Sequence, residues 1–419
     1  MKIILAAKSV YPFHPFGGVQ KYVYYLAKYL TKEGIDLEIV APLDDGKERT
    51  EVFEGVRYQF LKPSIYRYLE YPIGWLGVHL FNYTLAKYLR DKDFDVLHSF
   101  DMVSYQYLQR PHRRPVIAQI FSDNYLSNPI SFQNPFNSLS LFGYKNENIK
   151  KQKIRISPFS KRGIKLRYFP QYSFKIRPMY FCLKNADMIF FEEEMFRCDV
   201  EELFRLQGEK HSVLPAGIDL SLINEKTKVP SLTRSSLGLS AKDLVLITVN
   251  RLAADKGVDK LVLALEEALH EIPRLKLMIV GMGYQEKEIL QWVRERKLTD
   301  YIRHFKNLPE DDLYDLYRLC DIYISAFSYP GSSMSTLEAM ACGLPIITAA
   351  QPWLIRNQEN GILIEDNDPH RIKMAVCELI QGHRLREKGR ISQEIAGKYD
   401  WQNIAKEAVK RYKELLGIK

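Results

Sequence analysis

Short apolar runs bounded by polar turns recur along the whole chain, and stretches with a helical pattern separate them. Nine of these runs read as strands, five in the first half of the chain and four in the second: KIILAA, LEIVAP, DVLHSF, PVIAQIF, MIFFE, LVLITVN, LKLMIVG, DIYISAF and PIITAA. Strands that alternate with helices pair in parallel, and the helices cover both faces of the sheet. The pattern therefore predicts an α/β fold with two doubly wound sheets in tandem.

The length of the chain fits two domains of ordinary size. Its 419 residues, 46% of them hydrophobic, can form two large cores. Breaks without strand character separate the two sets of runs, at Pro215, Pro230 and Gly238. We place the domain junction near Asp219 and a linker from there to about Lys242. The predicted domains are 1–219 and 220–400, followed by a C-terminal helix over 401–419 that could return to the first domain.

The chain carries few signals of a membrane or extracellular protein. The amino terminus has only a short apolar run before Lys8, and no later segment offers about 18 uninterrupted apolar residues. The five cysteines are scattered, with no CxxC pair and no Cys/His cluster of metal-ligand spacing. We therefore predict a soluble, cytoplasmic protein with reduced cysteines and no metal site.

One insertion, over about 121–181, breaks the strand-helix pattern and is rich in aromatic and basic residues. Its basic part, 145–177, holds eleven Lys and Arg against one acidic residue, a net charge of +10 that leaves −1 for the rest of the chain. Charge confined to one segment indicates a local anionic partner. We predict that this segment meets an anionic membrane or a lipid-diphosphate acceptor. A solvated basic loop and an RNA-binding patch are the open alternatives, although we expect no nucleic-acid partner.

The first candidate site is HPFGGVQKYVYYLAKYL, in which Gly17 and Gly18 end a loop after the first strand and open a helix that runs to about Leu30. Glycine lets a backbone approach an anionic ligand, and the free N–H groups of a helix start point toward it. The alternative is an ordinary strand-to-helix turn, because the motif is neither GxGxxG nor a P-loop.

The second candidate site is VNRLAADKGVDKLVLAL. Arg251 and Lys256 follow a buried strand and precede a helix that begins near Gly257, so both can reach over the carboxyl ends of the sheet. Two cations at that edge suit a diphosphate, because Arg can grip two oxygens while Lys acts as a point charge. The alternative is that both are solvated charges on a surface loop.

The third candidate site is SYPGSSMSTLEAMACGLPIITA, where a turn leads into a helix that Gly343 and Pro345 close. The helix start presents backbone N–H groups to an anion, and Glu338, about one turn later, can accept two hydroxyls of a ribose. The three N–H donors belong to Ser333, Met334 and Ser335. The alternative is a packed helix with a satisfied carboxylate.

Two weaker candidates lie near predicted strand ends. His98 in DVLHSFD is interpreted as ending a strand on the ligand-facing edge. Gly281, in the GMG that follows LKLMIV, lacks the rest of a dinucleotide fingerprint.

Six motifs in a fixed order resemble those of the family 4 retaining glycosyltransferases, which have the GT-B fold: GGVQ, DVLHSFD, LPAGID, VNRLAADKGVDKLV, LMIVGMG and STLEAMACGLPII. The resemblance covers nearly the whole chain. It implies two Rossmann-like domains facing across a cleft, with a nucleotide-sugar donor held mainly by the second domain and an acceptor held mainly by the first. It also implies that neither a metal nor another cofactor is needed.

The resemblance assigns roles to the candidate residues. It implies that Arg251 and Lys256 bind the donor diphosphate, that Gly18 lies beside the same phosphates across the cleft, and that Glu338 binds the ribose. The predicted donor-binding residues are Gly17, Gly18, Arg251, Lys256, Gly281, Ser333, Met334, Ser335 and Glu338. In this family a leaving phosphate oxygen is thought to take the acceptor proton, so no dedicated carboxylate base is implied. The implied activity transfers a sugar to a glycan or a lipid-linked acceptor.

The chain departs from the family pattern on the sugar-facing side. Pro330 stands where the family has the first Glu of its E-x7-E motif, and FSDN stands where the family has a His after PVIAQIF. We therefore predict that Ser122 and Asp123, with His98, supply the catalytic polar contacts. Altered sugar contacts in an active enzyme are the leading interpretation. The alternative is a degenerate protein that binds a nucleotide sugar or a partner without turnover.

Overall fold

The computed structural model describes residues 1–14, 17–43, 47–62, 74–111, 113–121, 177–206, 208–226, 230–327 and 333–418. The chain divides into two compact units. Unit 1 is Met1–Ala216 with Trp401–Lys419, and unit 2 is Gly217–Asp400. The C-terminal segment therefore belongs to the unit that the chain enters first.

The described residues form two sheets. The strands are β1 Lys2–Ala6, β2 Asp36–Pro42, β3 Arg49–Phe53, β4 Val56–Leu61, β5 Val96–Phe100, β6 Val116–Ile120, β7 Met188–Phe191, β8 His211–Val213, β9 Leu244–Val249, β10 Leu275–Val280, β11 Ile302–Phe305, β12 Ile322–Ser325, β13 Ile346–Thr348 and β14 Gly361–Leu363. All nine predicted strands are confirmed, and β3, β4, β8, β11 and β14 are additional.

Helices lie between most of the strands. They are α1 Gly18–Lys32, α2 Gly74–Tyr88, α3 Tyr105–Leu108, α4 Arg177–Asn185, α5 Glu194–Phe204, α6 Leu220–Lys226, α7 Val258–Ala268, α8 Glu286–Glu295, α9 Glu310–Leu319, α10 Met334–Ala341, α11 Pro369–Gln381, α12 Leu385–Ala396 and α13 Trp401–Leu416. Short 3-10 turns lie at Leu89–Asp91, Gly208–Lys210, Ala254–Lys256 and Gly397–Tyr399. Among the described residues, no helix is both long and apolar enough to cross a membrane.

The sheet of unit 1 has eight strands in the order β3-β4-β2-β1-β5-β6-β7-β8. All neighbouring strands are parallel except β3 and β4, which form an antiparallel hairpin at one edge. Helix α13 packs against α1, with Trp401 and Tyr412 fully buried. The Trp401 ring stacks on Tyr25 and meets Tyr22 edge-on. Aromatic burial therefore fixes the C-terminal helix to unit 1.

The sheet of unit 2 has six parallel strands in the order β11-β10-β9-β12-β13-β14. This is the strand order of a doubly wound dinucleotide-binding fold. A largely aliphatic core covers one face of the sheet beneath α7 and α11. The predicted pair of α/β sheets is confirmed.

The predicted linker over about 219–242 is wrong. Its first part forms α6, and Ile223, Leu237 and Leu239 are buried in the core of unit 2. The Arg234 side chain donates to the carbonyl of Leu319, which ties the segment to the end of α9. The segment has few apolar residues and many turn residues, so it has the composition of a linker although it packs as part of a domain.

Candidate functional site

The strand order of unit 2 determines where a ligand can bind. The chain leaves β9 through α7 toward β10 on one side and later reaches β12 on the other side of β9. Ligands of open α/β sheets bind outside the carboxyl ends of the strands at such a reversal. We call this place, formed by 250–257, 326–327 and 333–338, the unit 2 switch point. Two of the three candidate motifs lie here.

The loop after β9 brings the two predicted cations together. The Arg251 guanidinium lies 3.4 Å from the Asp255 carboxylate, and the Lys256 ammonium lies 3.8 Å from the same group. Asp255 is largely buried, whereas the Arg251 side chain is 66% exposed. One carboxylate therefore holds both cations at this edge. The sequence interpretation missed Asp255, although its position between the two cations in the chain was a visible signal.

Lys256 also contacts the end of β12. Its ammonium lies 3.6 Å from the centroid of the Phe327 ring. Next to it, Gly257 has φ +62°, and a Cβ at this position would lie 2.9 Å from the Cβ and the carbonyl oxygen of Ala326. Glycine is therefore required where the β9 loop packs on β12. This close approach places Lys256 between the two strand ends.

Helix α10 begins at the predicted position. Ser333 is its N-cap and accepts a hydrogen bond from the Thr336 amide. The Ser333 and Ser335 hydroxyls lie 2.9 Å apart, and Ser335 Oγ lies 2.9 Å from the Tyr323 hydroxyl on β12. The first N–H groups of a helix lack partners within the helix and favour anions. The serine network fixes the helix start, with Met334 as its first residue, beside the end of β12.

Glu338 is buried on α10, about one turn after the helix start. The Tyr317 hydroxyl of α9 donates to its Oε2 at 3.3 Å. This contact orients the carboxylate and fits the packed-helix alternative as well as a ligand role. Binding of a ribose by Glu338 stays a prediction.

Gly281 ends β10 with φ +137°, and a Cβ there would lie 2.0 Å from the carbonyl oxygen of Asn250. Its own carbonyl accepts a hydrogen bond from the His304 ring at 2.7 Å. Close packing of the β9 and β10 loops thus accounts for the glycine. Its predicted contact with the donor stays a prediction.

In unit 1, Gly17 is the N-cap of α1 and Gly18 is the first helical residue, as predicted. In the described part of the chain, a Cβ on Gly18 would meet no atom within 4 Å. No packing against the described residues therefore accounts for glycine at position 18.

Unit 1 has a switch point of its own, where the carboxyl ends of β1 and β5 lie side by side. Lys8 follows β1 and Asp101 follows β5, and the Lys8 ammonium lies 3.3 Å from the Asp101 carboxylate. Asp101 is 2% exposed and has φ +57°. The sequence interpretation did not single out this ion pair.

His98 does not lie at a strand end, so its predicted position is wrong. Strand β5 continues to Phe100, and the His98 side chain is fully buried in the middle of the strand. Its Nδ1 lies 2.7 Å from the Tyr412 hydroxyl of α13, and its ring stacks on Phe100. Burial lowers the pKa of His98 to about 3, which keeps the ring neutral. His98 is a core residue of unit 1, so its predicted catalytic role loses its basis.

Several predicted features lie outside the described residues. They are Ser122, Asp123, Pro330 and all of the basic segment 145–177 except its last residue, Arg177, which begins α4. Their predicted roles stay predictions. Within the described ranges, no group of three or more His, Cys, Asp or Glu is arranged to hold a metal ion.

The sequence models of two protein families match the chain and together span most of it. Residues 16–222 match Glycosyltransferase Family 4, and residues 231–392 match Glycosyl transferases group 1. The D-inositol 3-phosphate glycosyltransferase of Segniliparus rotundus is 26% identical over 51% of this chain and 49% of its own length. The UDP-N-acetylglucosamine--peptide N-acetylglucosaminyltransferase GtfA subunit of Streptococcus pneumoniae is 31% identical over 45% of this chain and 39% of its own length. The chain spans about half the length of the curated relatives it matches.

Solved structures resemble the whole chain. Sucrose-phosphate synthase from Thermosynechococcus elongatus has a TM-score of 0.74 at 17% identity, covering 99% of each chain. Anabaena HepE in complex with UDP has a TM-score of 0.68 at 16% identity, covering 99% of this chain and 100% of HepE. At this identity the likeness concerns the fold, which is GT-B with two Rossmann-like domains. The chain belongs to the family 4, group 1 glycosyltransferases, and the suggested resemblance is confirmed.

Proposed function

We propose that the protein is a retaining glycosyltransferase that takes a nucleotide-sugar donor and binds the donor diphosphate at the unit 2 switch point. The observation that carries this proposal is the position of Lys256. Its ammonium shares the Asp255 carboxylate with Arg251 and lies over the Phe327 ring at the end of β12. Two cations are therefore grouped at the sheet edge where α10 begins.

This arrangement suits a diphosphate more than a neutral ligand. Arg251, Lys256 and Asp255 together carry a net charge of +1, to which the start of α10 adds the partial positive charge of a helix N-terminus. Arg can donate hydrogen bonds to two phosphate oxygens at once. The Lys ammonium can stabilise the negative charge that develops on the leaving group. Stabilising the departing diphosphate lowers the barrier because negative charge accumulates there in the transition state.

The proposed reaction exchanges one bond at the anomeric carbon for another. The bond from this carbon to the diphosphate oxygen breaks, and its electron pair stays on that oxygen. A bond from the acceptor oxygen forms on the same face of the sugar, and the acceptor proton passes to the leaving diphosphate. The configuration is retained, and the reaction needs neither a metal nor another cofactor. Release of nucleotide that is unchanged by EDTA would support metal independence.

We propose that the acceptor is a glycan or a lipid-linked sugar that binds to unit 1. The basic segment 145–177 would bind to the inner face of an anionic membrane. Its net charge of +10 in the sequence supports this contact. Flotation with liposomes should then require anionic lipid and weaken as salt rises. Equal recovery on neutral and anionic vesicles would contradict the membrane contact without affecting the donor site.

A panel of nucleotide sugars tests the proposed function. UDP-glucose, UDP-N-acetylglucosamine, GDP-mannose and ADP-glucose are compared with the free nucleosides by thermal shift, and nucleotide release is measured with water as acceptor. A true donor at a hundredfold excess over its Kd should stabilise the protein by about 2.7 kcal/mol. Absence of nucleotide binding would contradict the site. Binding without release from any donor would favour the non-catalytic alternative.

A further inference from the structure

The proposed function requires the unit 2 switch point to bind an anion, yet a carboxylate lies beside its two cations. The Asp255 carboxylate lies 3.4 Å from the Arg251 guanidinium and 3.8 Å from the Lys256 ammonium. Its side chain is 12% exposed, less than that of either cation. A carboxylate repels a diphosphate, so its presence here needs a reason other than attraction of the ligand.

The backbone around Asp255 is anchored. Asp255 is the middle residue of the 3-10 turn Ala254–Lys256. The Ala254 amide donates to the Tyr284 hydroxyl at 2.9 Å, which ties the turn to the loop after β10. The Lys256 amide donates to the Ala253 carbonyl at 2.9 Å, which closes the turn. Because the turn is held in these two ways, the carboxylate stays beside the cations when a ligand arrives.

Stability gives little reason for this carboxylate. The Arg251 side chain is 66% exposed, and an ion pair with an exposed partner contributes little to folding. A negative charge near the start of α7 is favoured by the helix dipole, but Asp259 in the first turn of that helix already supplies one. The main effect of Asp255 is therefore on the charge of the site, which it lowers from +2 to +1.

The donor and the nucleotide product of the proposed transfer differ in charge. A nucleotide sugar has two negative charges on its diphosphate. The free nucleoside diphosphate has close to three at neutral pH, because its terminal phosphate loses a second proton with a pKa of about 6. A fixed negative charge in the site therefore weakens the binding of the product more than that of the donor.

We infer that Asp255 adjusts the affinity of the unit 2 switch point so that the nucleoside diphosphate is released after transfer. In the empty site the carboxylate holds together two cations that would otherwise repel each other. After transfer it repels the additional charge of the product, so that the product leaves and a new donor binds. Product release limits the turnover of many enzymes, and a site without this carboxylate would hold its product longer. This inference rests on the proposed function.

The test compares Asp255→Asn with the wild-type chain, because Asn keeps the size of the side chain and removes its charge. Calorimetry measures the binding of UDP, GDP and ADP and of UDP-glucose, GDP-mannose and ADP-glucose, and the matching pair that binds the wild-type chain is followed. Affinity for the nucleoside diphosphate should rise by about tenfold and affinity for the donor by only about fourfold, in proportion to their charges. Dissociation of the nucleoside diphosphate, followed by stopped flow, should slow in the variant.

Asp259→Asn is the matched control. Asp259 pairs with Lys260 at 3.8 Å, one turn further along α7. Removing this more distant charge should change neither affinity by more than about twofold, because salt screens it more strongly. A purely structural role of Asp255 would instead weaken the donor and the nucleoside diphosphate by the same factor.

Unchanged or weaker binding of the nucleoside diphosphate to Asp255→Asn would overturn the inference and leave the proposed function intact. Equal gains for the nucleoside diphosphate and the donor would also overturn it, because their difference in charge would then have no effect. If Asp255→Asn does not fold, Asp255→Ser is measured in the same way. Failure of both variants to fold would show that the carboxylate supports the loop and would overturn the inference. Absence of binding of all six nucleotides to the wild-type chain would overturn the proposed function itself.

Discussion

The two units have the same arrangement of strands at their switch points, yet they bury different side chains around it. In unit 2, Arg251 and Lys256 share one carboxylate beside an aliphatic core. In unit 1, a lysine is paired with a buried carboxylate, and the core beneath is aromatic and contains the buried His98. Ten of the twelve largest fully buried side chains in the described residues lie in unit 1. The order of the strands therefore sets where a site can lie, while the charged residues around it determine which ligands can bind there.

The largest expected difference between the units is their response to acid. Burial lowers the pKa of His98 to about 3, so the folded state binds fewer protons than the unfolded state below the ordinary value of about 6.5. The contribution of neutral, buried His98 to the stability of unit 1 should therefore be fully present above pH 6.5 and be lost as the pH falls toward 3. At about 1.4 kcal/mol per pKa unit, the loss from pH 7 to pH 4 is about 3 kcal/mol.

Hydrogen exchange at several pH values, corrected for intrinsic rates, can measure this loss for β5 and β6 and compare it with β9 and β10. Burial raises the pKa of Glu193 to about 7, which acts in the opposite direction between pH 4.5 and 7. The decisive quantity is therefore the difference between wild type and His98→Phe, which cannot titrate. Equal pH slopes in the two proteins would show that His98 is not the source.

The second prediction concerns the cations of unit 2. Arg251→Ala and Lys256→Ala should each weaken UDP binding by about 2 kcal/mol, roughly 30-fold, because each removes a charge-assisted contact. Calorimetry of UDP measures the effect. Lys260→Ala is the control, since Lys260 lies one turn further along α7 and pairs with Asp259. Unchanged UDP affinity in both variants would show that the diphosphate does not bind at this switch point.

Much of the fold follows from the sequence because buried parallel strands are continuous apolar runs with clear ends. The hairpin of β3 and β4 was missed because RTEVF, an edge strand, has charged and half-exposed residues. Strands β8 and β14 are only three residues long, and β11 reads IRHF, with two basic residues. A short or polar segment becomes a strand because it pairs with a neighbouring strand, and the local sequence pattern does not show that pairing.

The candidate site was predictable to different degrees in the two units. Arg251 and Lys256 both lie within seven residues of the end of β9, so local order was enough to bring them together. The Lys8–Asp101 ion pair joins two residues that are distant in the chain. They are adjacent only because β1 pairs with β5. His98 was misplaced because an apolar run does not show where its strand ends or how far a side chain is buried. Pairing between distant segments carries the information that a single sequence lacks.

A third prediction tests whether unit 1 also contributes to donor binding. Gly18→Ala should leave the free energy of unfolding nearly unchanged, because a Cβ there meets no described atom within 4 Å. The added methyl group should nevertheless hinder the approach of a phosphate to the start of α1, and UDP affinity should fall by about tenfold. Urea unfolding and calorimetry separate the two effects. Full UDP affinity in the variant would show that the start of α1 does not contact the diphosphate.

The smallest effect expected is that of Glu338→Gln. The substitution keeps the size of the side chain and one oxygen acceptor, so UDP affinity should fall by only about 1 kcal/mol. Binding of inorganic diphosphate should not change, because it lacks the ribose hydroxyls that Glu338 is predicted to accept. Measuring both ligands by calorimetry therefore distinguishes a ribose contact from a general loss of the helix start. Equal weakening of UDP and diphosphate would indicate that the Tyr317–Glu338 contact supports α10 as a whole. A loss of turnover with UDP affinity intact would instead place Glu338 at the transferred sugar.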